Sequence, residues 1–173
     1  MKKQQAGFTM IEVLVTIAIL VIGLLGLAAM QTLSTIAELE AYQRSQALIM
    51  VRDMADRISG NKANINSYVG NDIGLTAATC TGLVGAALDR CEWGNQLNGA
   101  AEVAGGTRNV GAMIGARGCV VKVDGQTFLI TVAWQGLSNA GNPKEACGDG
   151  AYGTPGQRRT VSTVVRLALL AAP

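Results

Sequence analysis

GFTMIEVLVTIAILVIGLLGLAAM, residues 7–30, is an apolar run with one carboxylate, Glu12, near its start. As a helix, the run from Phe8 to Met30 extends roughly 35 Å at about 1.5 Å per residue. That spans a hydrocarbon core of about 30 Å with some tilt. Lys2 and Lys3 precede it, so the positive-inside bias predicts a cytoplasmic N-terminus, with everything after Met30 on the far side. A secretory signal peptide carries its small-residue cleavage site after the apolar region. Here the small residue, Gly7, comes first. A cut after Gly7 removes a basic leader, residues 1–7, and keeps residues 8–30 as a transmembrane segment.

Glu12 is the exception that needs a reason. A carboxylate within a membrane segment is costly and is by default a functional hypothesis, although a charge this near the end can also snorkel to the interface. Cleavage after Gly7 would create an α-amine on Phe8, four residues before Glu12. In a bundle of such helices, the amine of one chain can neutralise the carboxylate of the next. Assembly then relieves a penalty that a lone subunit carries.

The hexapeptide Gly7-Phe8-Thr9-Met10-Ile11-Glu12, followed by the unbroken apolar run, resembles the class III leader junction of type IV pilins and type II secretion pseudopilins. The resemblance implies cleavage between Gly7 and Phe8 by prepilin peptidase, N-methylation of Phe8, and docking of Glu12 onto a neighbouring subunit.

Composition bounds the rest. The chain has 173 residues and a formal charge of +2, which falls to zero when Lys2 and Lys3 leave with the leader. No basic patch marks nucleic acid as a partner. There is no histidine, which removes the usual general base, the common nucleophile pairs and the commonest metal ligand. The expectation is a protein without catalytic, cofactor or metal sites. Asp149, in Cys147-Gly-Asp-Gly150, has too few acids near it in sequence for a calcium loop.

Past the membrane segment the helix is expected to continue over residues 31–59. Leu33, Ile36, Ala37, Ala41, Leu48, Val51, Met54, Ala55 and Ile58 form an apolar stripe, and no proline interrupts residues 8–59. Glu40–Arg44 and Arg52–Asp56 are spaced to pair across one turn. Gly60 is read as a left-handed cap. Residues 60–173 are then one globular head. Leu83 to Leu97 has helical character, weakened by Gly85 and Gly94. Glycines 105, 106, 111, 115 and 118 read as loop. Cys119–Val123 and Thr127–Trp134 read as strands joined at Asp124-Gly125-Gln126, and Arg159–Leu169 as a third. The predicted fold is α+β: a long N-terminal helix, half transmembrane and half amphipathic, packed on a small antiparallel sheet. Trp134 is expected in the core, and Arg158-Arg159 at a charged strand edge or against an acidic partner.

Cys80, Cys91, Cys119 and Cys147 lack zinc-knuckle spacing and would lie on the oxidising side of the membrane. Of three connectivities, Cys80–Cys91 closes a local loop around the short helix and Cys119–Cys147 pins the long loop to the first strand; this pair of bridges is favoured.

Thr131–Gly136, the cysteine-bearing loop after it, Arg158-Arg159 and the stretch Ala87–Leu97 with Asp89 and Trp93 are similar to the PilV-type minor pilins. That resemblance implies a low-abundance subunit stored in the bacterial inner membrane with a periplasmic head. It would join other minor pilins and the major pilin in a priming complex at the tip of a type IV pilus and help to export an adhesin. The alternative is a minor pseudopilin of a type II secretion system, which shares the leader and assembly logic.

Overall fold

The computed structural model describes residue 7 and residues 9–99, 103–104, 108–109 and 113–167. Helix α1 runs Met10–Gly60, 51 residues without a break. The chain divides into two compact units, residues 1–39 and residues 40–173. In the first, the described apolar side chains of α1 are open: Leu14, Leu20, Leu24 and Leu25 are each more than half exposed. The threonines return their hydroxyls to the helix itself. Thr16 Oγ1 donates to the Val13 carbonyl at 2.8 Å and Thr32 Oγ1 to that of Ala28 at 3.1 Å. Such back-bonding leaves no hydroxyl seeking a partner in an apolar surrounding. α1 is long and apolar enough to cross a membrane, by length and composition.

The second unit is the α+β body. A 3₁₀ helix, Lys62–Tyr68, follows α1. Then come β1 (Gly70–Ile73), α2 (Ala86–Leu97), a two-stranded hairpin of β2 (Val103–Ala104) and β3 (Arg108–Asn109), β4 (Ile114–Lys122), β5 (Thr127–Gln135) and β6 (Arg158–Arg166). The main sheet is antiparallel throughout in the order β1-β4-β5-β6. Val120, Phe128, Ile130, Val132, Trp134 and Val165 share one cluster with Ala47, Val51, Met54 and Ile58 of α1. Trp134 is therefore core.

Several expectations need correction. The packed stripe of α1 is Ala47, Val51, Met54 and Ile58, spaced four, three and four, while Leu33, Ala41 and Leu48 are exposed. Leu48 follows Ala47 by about 100° around the helix, which turns it off the packed face. Gly60 is not in the left-handed region. The helix ends when the Asn61 N–H reaches the carbonyls of both Arg57 and Ile58 at 3.2 Å. The sheet has a fourth strand, β1, carrying a bulge at which Asp72 adopts φ +55°. β4 begins at Ile114, so Gly115 and Gly118 lie within a strand. β6 starts at Arg158 and ends at Arg166, and the expected residues 168–169 lie outside the described residues, as do Gly105, Gly106 and Gly111. Among the described residues Glu40–Arg44 and Arg52–Asp56 do not pair: Glu40 meets Arg159 at 3.3 Å.

α2 starts at Ala86 and lays Trp93 and Leu97 into the core. Its Gly94 is the contact point with Gly74 and Ile73, where a Cβ would come within 3.2–3.3 Å. The Trp93 indole N–H donates to the Met50 carbonyl at 2.8 Å, so the ring bridges the sheet and α1.

The β5–β6 connection packs on the other face of the sheet. The Cys119–Cys147 disulfide and the Tyr152 ring form a second cluster there with Ala133. The Tyr152 hydroxyl donates at 2.8 Å to the Gly115 carbonyl and lies 3.0 Å from that of Ala133. Burial raises the Tyr152 phenol above its ordinary value, opposed by Arg117. Cys80–Cys91 is the second disulfide and ties the connection before α2 to that helix. Replacing Cys119 and Cys147 together by alanine should cost about 2–4 kcal/mol. The loss is expected to show as a lower denaturation midpoint and as proteolysis confined to the β5–β6 connection; an unchanged midpoint would deny the bridge a stabilising role.

Candidate functional site: the N-terminal junction

Of the junction residues, Gly7 is exposed and a Cβ added there would meet nothing within 4 Å. Phe8 lies outside the described residues. Thr9 precedes the first residue of α1, and its hydroxyl oxygen accepts the Glu12 N–H at 3.4 Å while its carbonyl accepts the same N–H at 3.1 Å. Thr9 is thus the helix N-cap and Glu12 the third helical residue. The spacing Thr-x-x-Glu was a cap signal available in the sequence and not used there. An acidic residue in the first turn is also favoured by the helix dipole. The Glu12 side chain is exposed, and among the described residues it has no ion-pair partner. The carboxylate thus stands in the first turn of an open apolar helix.

In the globular unit several charges are instead paired within the chain. Arg57 bonds Asp53 at 2.9 Å, Asp89 at 3.2 Å and Glu92 at 2.8 Å, joining α1 to α2. Burial opposes the Arg57 charge, but the three carboxylates outweigh it and raise its affinity for the proton. The Tyr68 hydroxyl donates to Asp89, and burial together with that carboxylate raises the phenol. Arg158, expected at a solvated edge or against a partner, is 4% exposed and serves the β5–β6 connection. Its guanidinium donates to the carbonyls of Glu145, Cys147 and Pro143 and to Asn142 Oδ1, and lies 3.3 Å from Asp149. Arg159 is likewise used within the chain. Nothing in the dipeptide announced this, because most of the acceptors are backbone carbonyls.

A cavity of about 610 Å³ opens on the outer sheet face beside the Cys119–Cys147 bridge. Of its charged walls, Asp72 and Arg117 pair with each other at 3.1 Å, and Asp149 pairs with Arg158 outside the lining. Among the described residues no cluster of three or more potential metal ligands forms.

Residues 2–28 match the family model for the prokaryotic N-terminal methylation motif. No curated protein and no solved structure matches the chain. The motif, the apolar helix that continues it and the α+β body behind it fit a pilin or a pseudopilin, and are compatible with anchoring in a membrane.

Proposed function

We propose that this chain is a minor pilin of PilV type, a structural and non-catalytic subunit of the complex that primes a type IV pilus. The observation that supports a pilin or pseudopilin is the methylation motif over residues 2–28, whose apolar part opens an uninterrupted 51-residue helix; the likeness of Thr131–Gly136 and Ala87–Leu97 to PilV-type sequences supports the finer reading. On this reading prepilin peptidase cuts between Gly7 and Phe8 and methylates the new amine. The inner membrane stores the processed subunit with its globular unit in the periplasm. Other minor pilins and the major pilin then receive it, and a tip adhesin is exported with the complex.

Mass spectrometry of sheared, purified pili tests both processing and membership. The expected result is an N-methylated peptide beginning at Phe8, at low abundance beside a major pilin. Its recovery only from membranes, with pili well sampled, would instead favour a minor pseudopilin of type II secretion, which the same motif fits.

Glu12→Val should leave the protein in the membrane and cut its recovery in filaments, because the Phe8 amine of a neighbour loses its counter-charge. Recovery at the parental level would remove the amine–carboxylate docking step.

A further inference from the structure

We infer that residues 40–46 of α1 are a releasable segment, held to the globular unit by a carboxylate clasp at Glu40 and able to open while the helix beyond it stays packed. The packed face of α1 changes character along its length. From Ala47 onward it is apolar: Ala47, Val51, Met54 and Ile58 are all at most 1% exposed. In the turns before Ala47 it is polar. Its only fully packed side chain there is Gln43, 5% exposed, and the Gln43 side-chain oxygen is buried with no hydrogen-bond partner. A buried unsatisfied acceptor works against packing, whereas a buried methylene works for it. Residues 41, 42, 44 and 45 are exposed and add nothing to the contact.

What holds the segment is one side chain. Glu40 Oε1 accepts from the Leu137 N–H at 3.1 Å, the Ser138 N–H at 2.9 Å and the Ser138 hydroxyl at 2.7 Å, with Arg159 Nη2 at 3.3 Å. Burial by itself would raise the Glu40 carboxyl, but the Ser138 hydroxyl and N–H, then Arg159 and the Leu137 N–H, hold it below the usual carboxylate range.

The seat is built without Glu40. Arg159 is fixed by donating to the Gly156 carbonyl at 2.8 Å and the Ser138 carbonyl at 2.7 Å. The loop beneath is pinned by Gly136 N–H to the Gln157 carbonyl at 2.7 Å and Ala140 N–H to the Gly156 carbonyl at 3.0 Å. Two convergent backbone N–H groups, a hydroxyl and a guanidinium form a ready anion seat. Opening therefore leaves the seat intact and relieves Gln43. It frees about two turns of helix, roughly 10 Å at about 1.5 Å per residue. The clasp can reclose without refolding anything.

Thiol labelling of the full-length chain in detergent micelles tests this. Gln43→Cys reports opening, Ser45→Cys gives the rate for an exposed site, and Ala47→Cys reports the start of the apolar stripe. With Glu40 present, the thiol at 43 should label much more slowly than that at 45. Adding Glu40→Ala should speed labelling at position 43 by about tenfold or more, as loss of several charge-assisted hydrogen bonds predicts. Labelling at 45 and 47 should not change, and Glu40→Gln, which keeps the shape and loses the charge, should fall between. An unmoved rate at 43, or a thiol at 43 that already labels like one at 45, would overturn the clasp. A rise at 47 in step with 43 would overturn it too, since the opening would then be global.

Discussion

Gly118→Ala is expected to destabilise the globular unit by about 3 kcal/mol, the upper end of the usual overpacking range. A Cβ at this position in β4 would stand 2.0 Å from Trp93 Cη2, 2.1 Å from Cζ3 and 2.9 Å from Leu97 Cδ1. No real contact is that short, so either the indole or the strand must move. Neither moves freely. The Trp93 ring is fully buried and its N–H is committed to the Met50 carbonyl, while Gly118 sits in the ladder opposite Val132 of β5 and Ile73 of β1. The measurement is the denaturation midpoint of Gly118→Ala, Trp93→Leu and the double variant. Trp93→Leu should itself cost several kcal/mol through the lost ring volume, within the range of about 3–5 kcal/mol seen for truncated aromatics. The double variant should cost less than the two added together, because removing the indole opens the space that the new methyl requires. Additive losses, or a Gly118→Ala cost under about 1 kcal/mol, would mean that the ring does not lie against this stretch of backbone.

The same pair explains what could and could not be read from the sequence. Gly118 looks like loop punctuation because glycine weakens a strand. Its reason, an indole arriving from a helix more than twenty residues earlier, is tertiary and leaves no local trace. β1 escaped notice for a related cause: Gly-Asn-Asp-Ile has no alternation, and it becomes a strand only by pairing with β4 around the bulge at Asp72. The parts that were legible are those governed by short-range rules. The proline-free apolar run dictates α1, and the β-branched runs dictate β5 and most of β6. The stripe on α1 was legible in its last part, Val51, Met54 and Ile58, but its phase was not legible before that, since apolar residues such as Leu33 and Leu48 occupy open faces. The junction around Gly7 was legible as a motif because its chemistry depends on neighbours in sequence. The Thr9 cap was legible there too, in the spacing Thr9-x-x-Glu12.

Arg158→Met should be the most damaging single change on the outer face of the sheet, at about 3 kcal/mol, and its damage should be local. Methionine keeps the apolar stem and removes every donor. Four acceptors then lose their partner: the carbonyls of Glu145, Cys147 and Pro143, and Asn142 Oδ1. The carbonyl of Cys147 is the decisive one, because its bond with Arg158 is buried and a stranded buried acceptor costs about 1–3 kcal/mol. Asp149 is a lesser term: its side chain is 68% exposed, so water can solvate it once Arg158 is gone. Arg158→Lys should rescue little, since one compact ammonium has three donors and cannot reproduce the planar fork that reaches both sides of the connection. The Cys119–Cys147 bridge still tethers the segment, so the expected phenotype is a lower denaturation midpoint with new protease cleavage between residues 140 and 157, while the α1–sheet core keeps its protection. Cleavage spread into the core would assign Arg158 a wider structural role. A lysine variant as stable as the parent would show that the positive charge, rather than the fork, organises this connection.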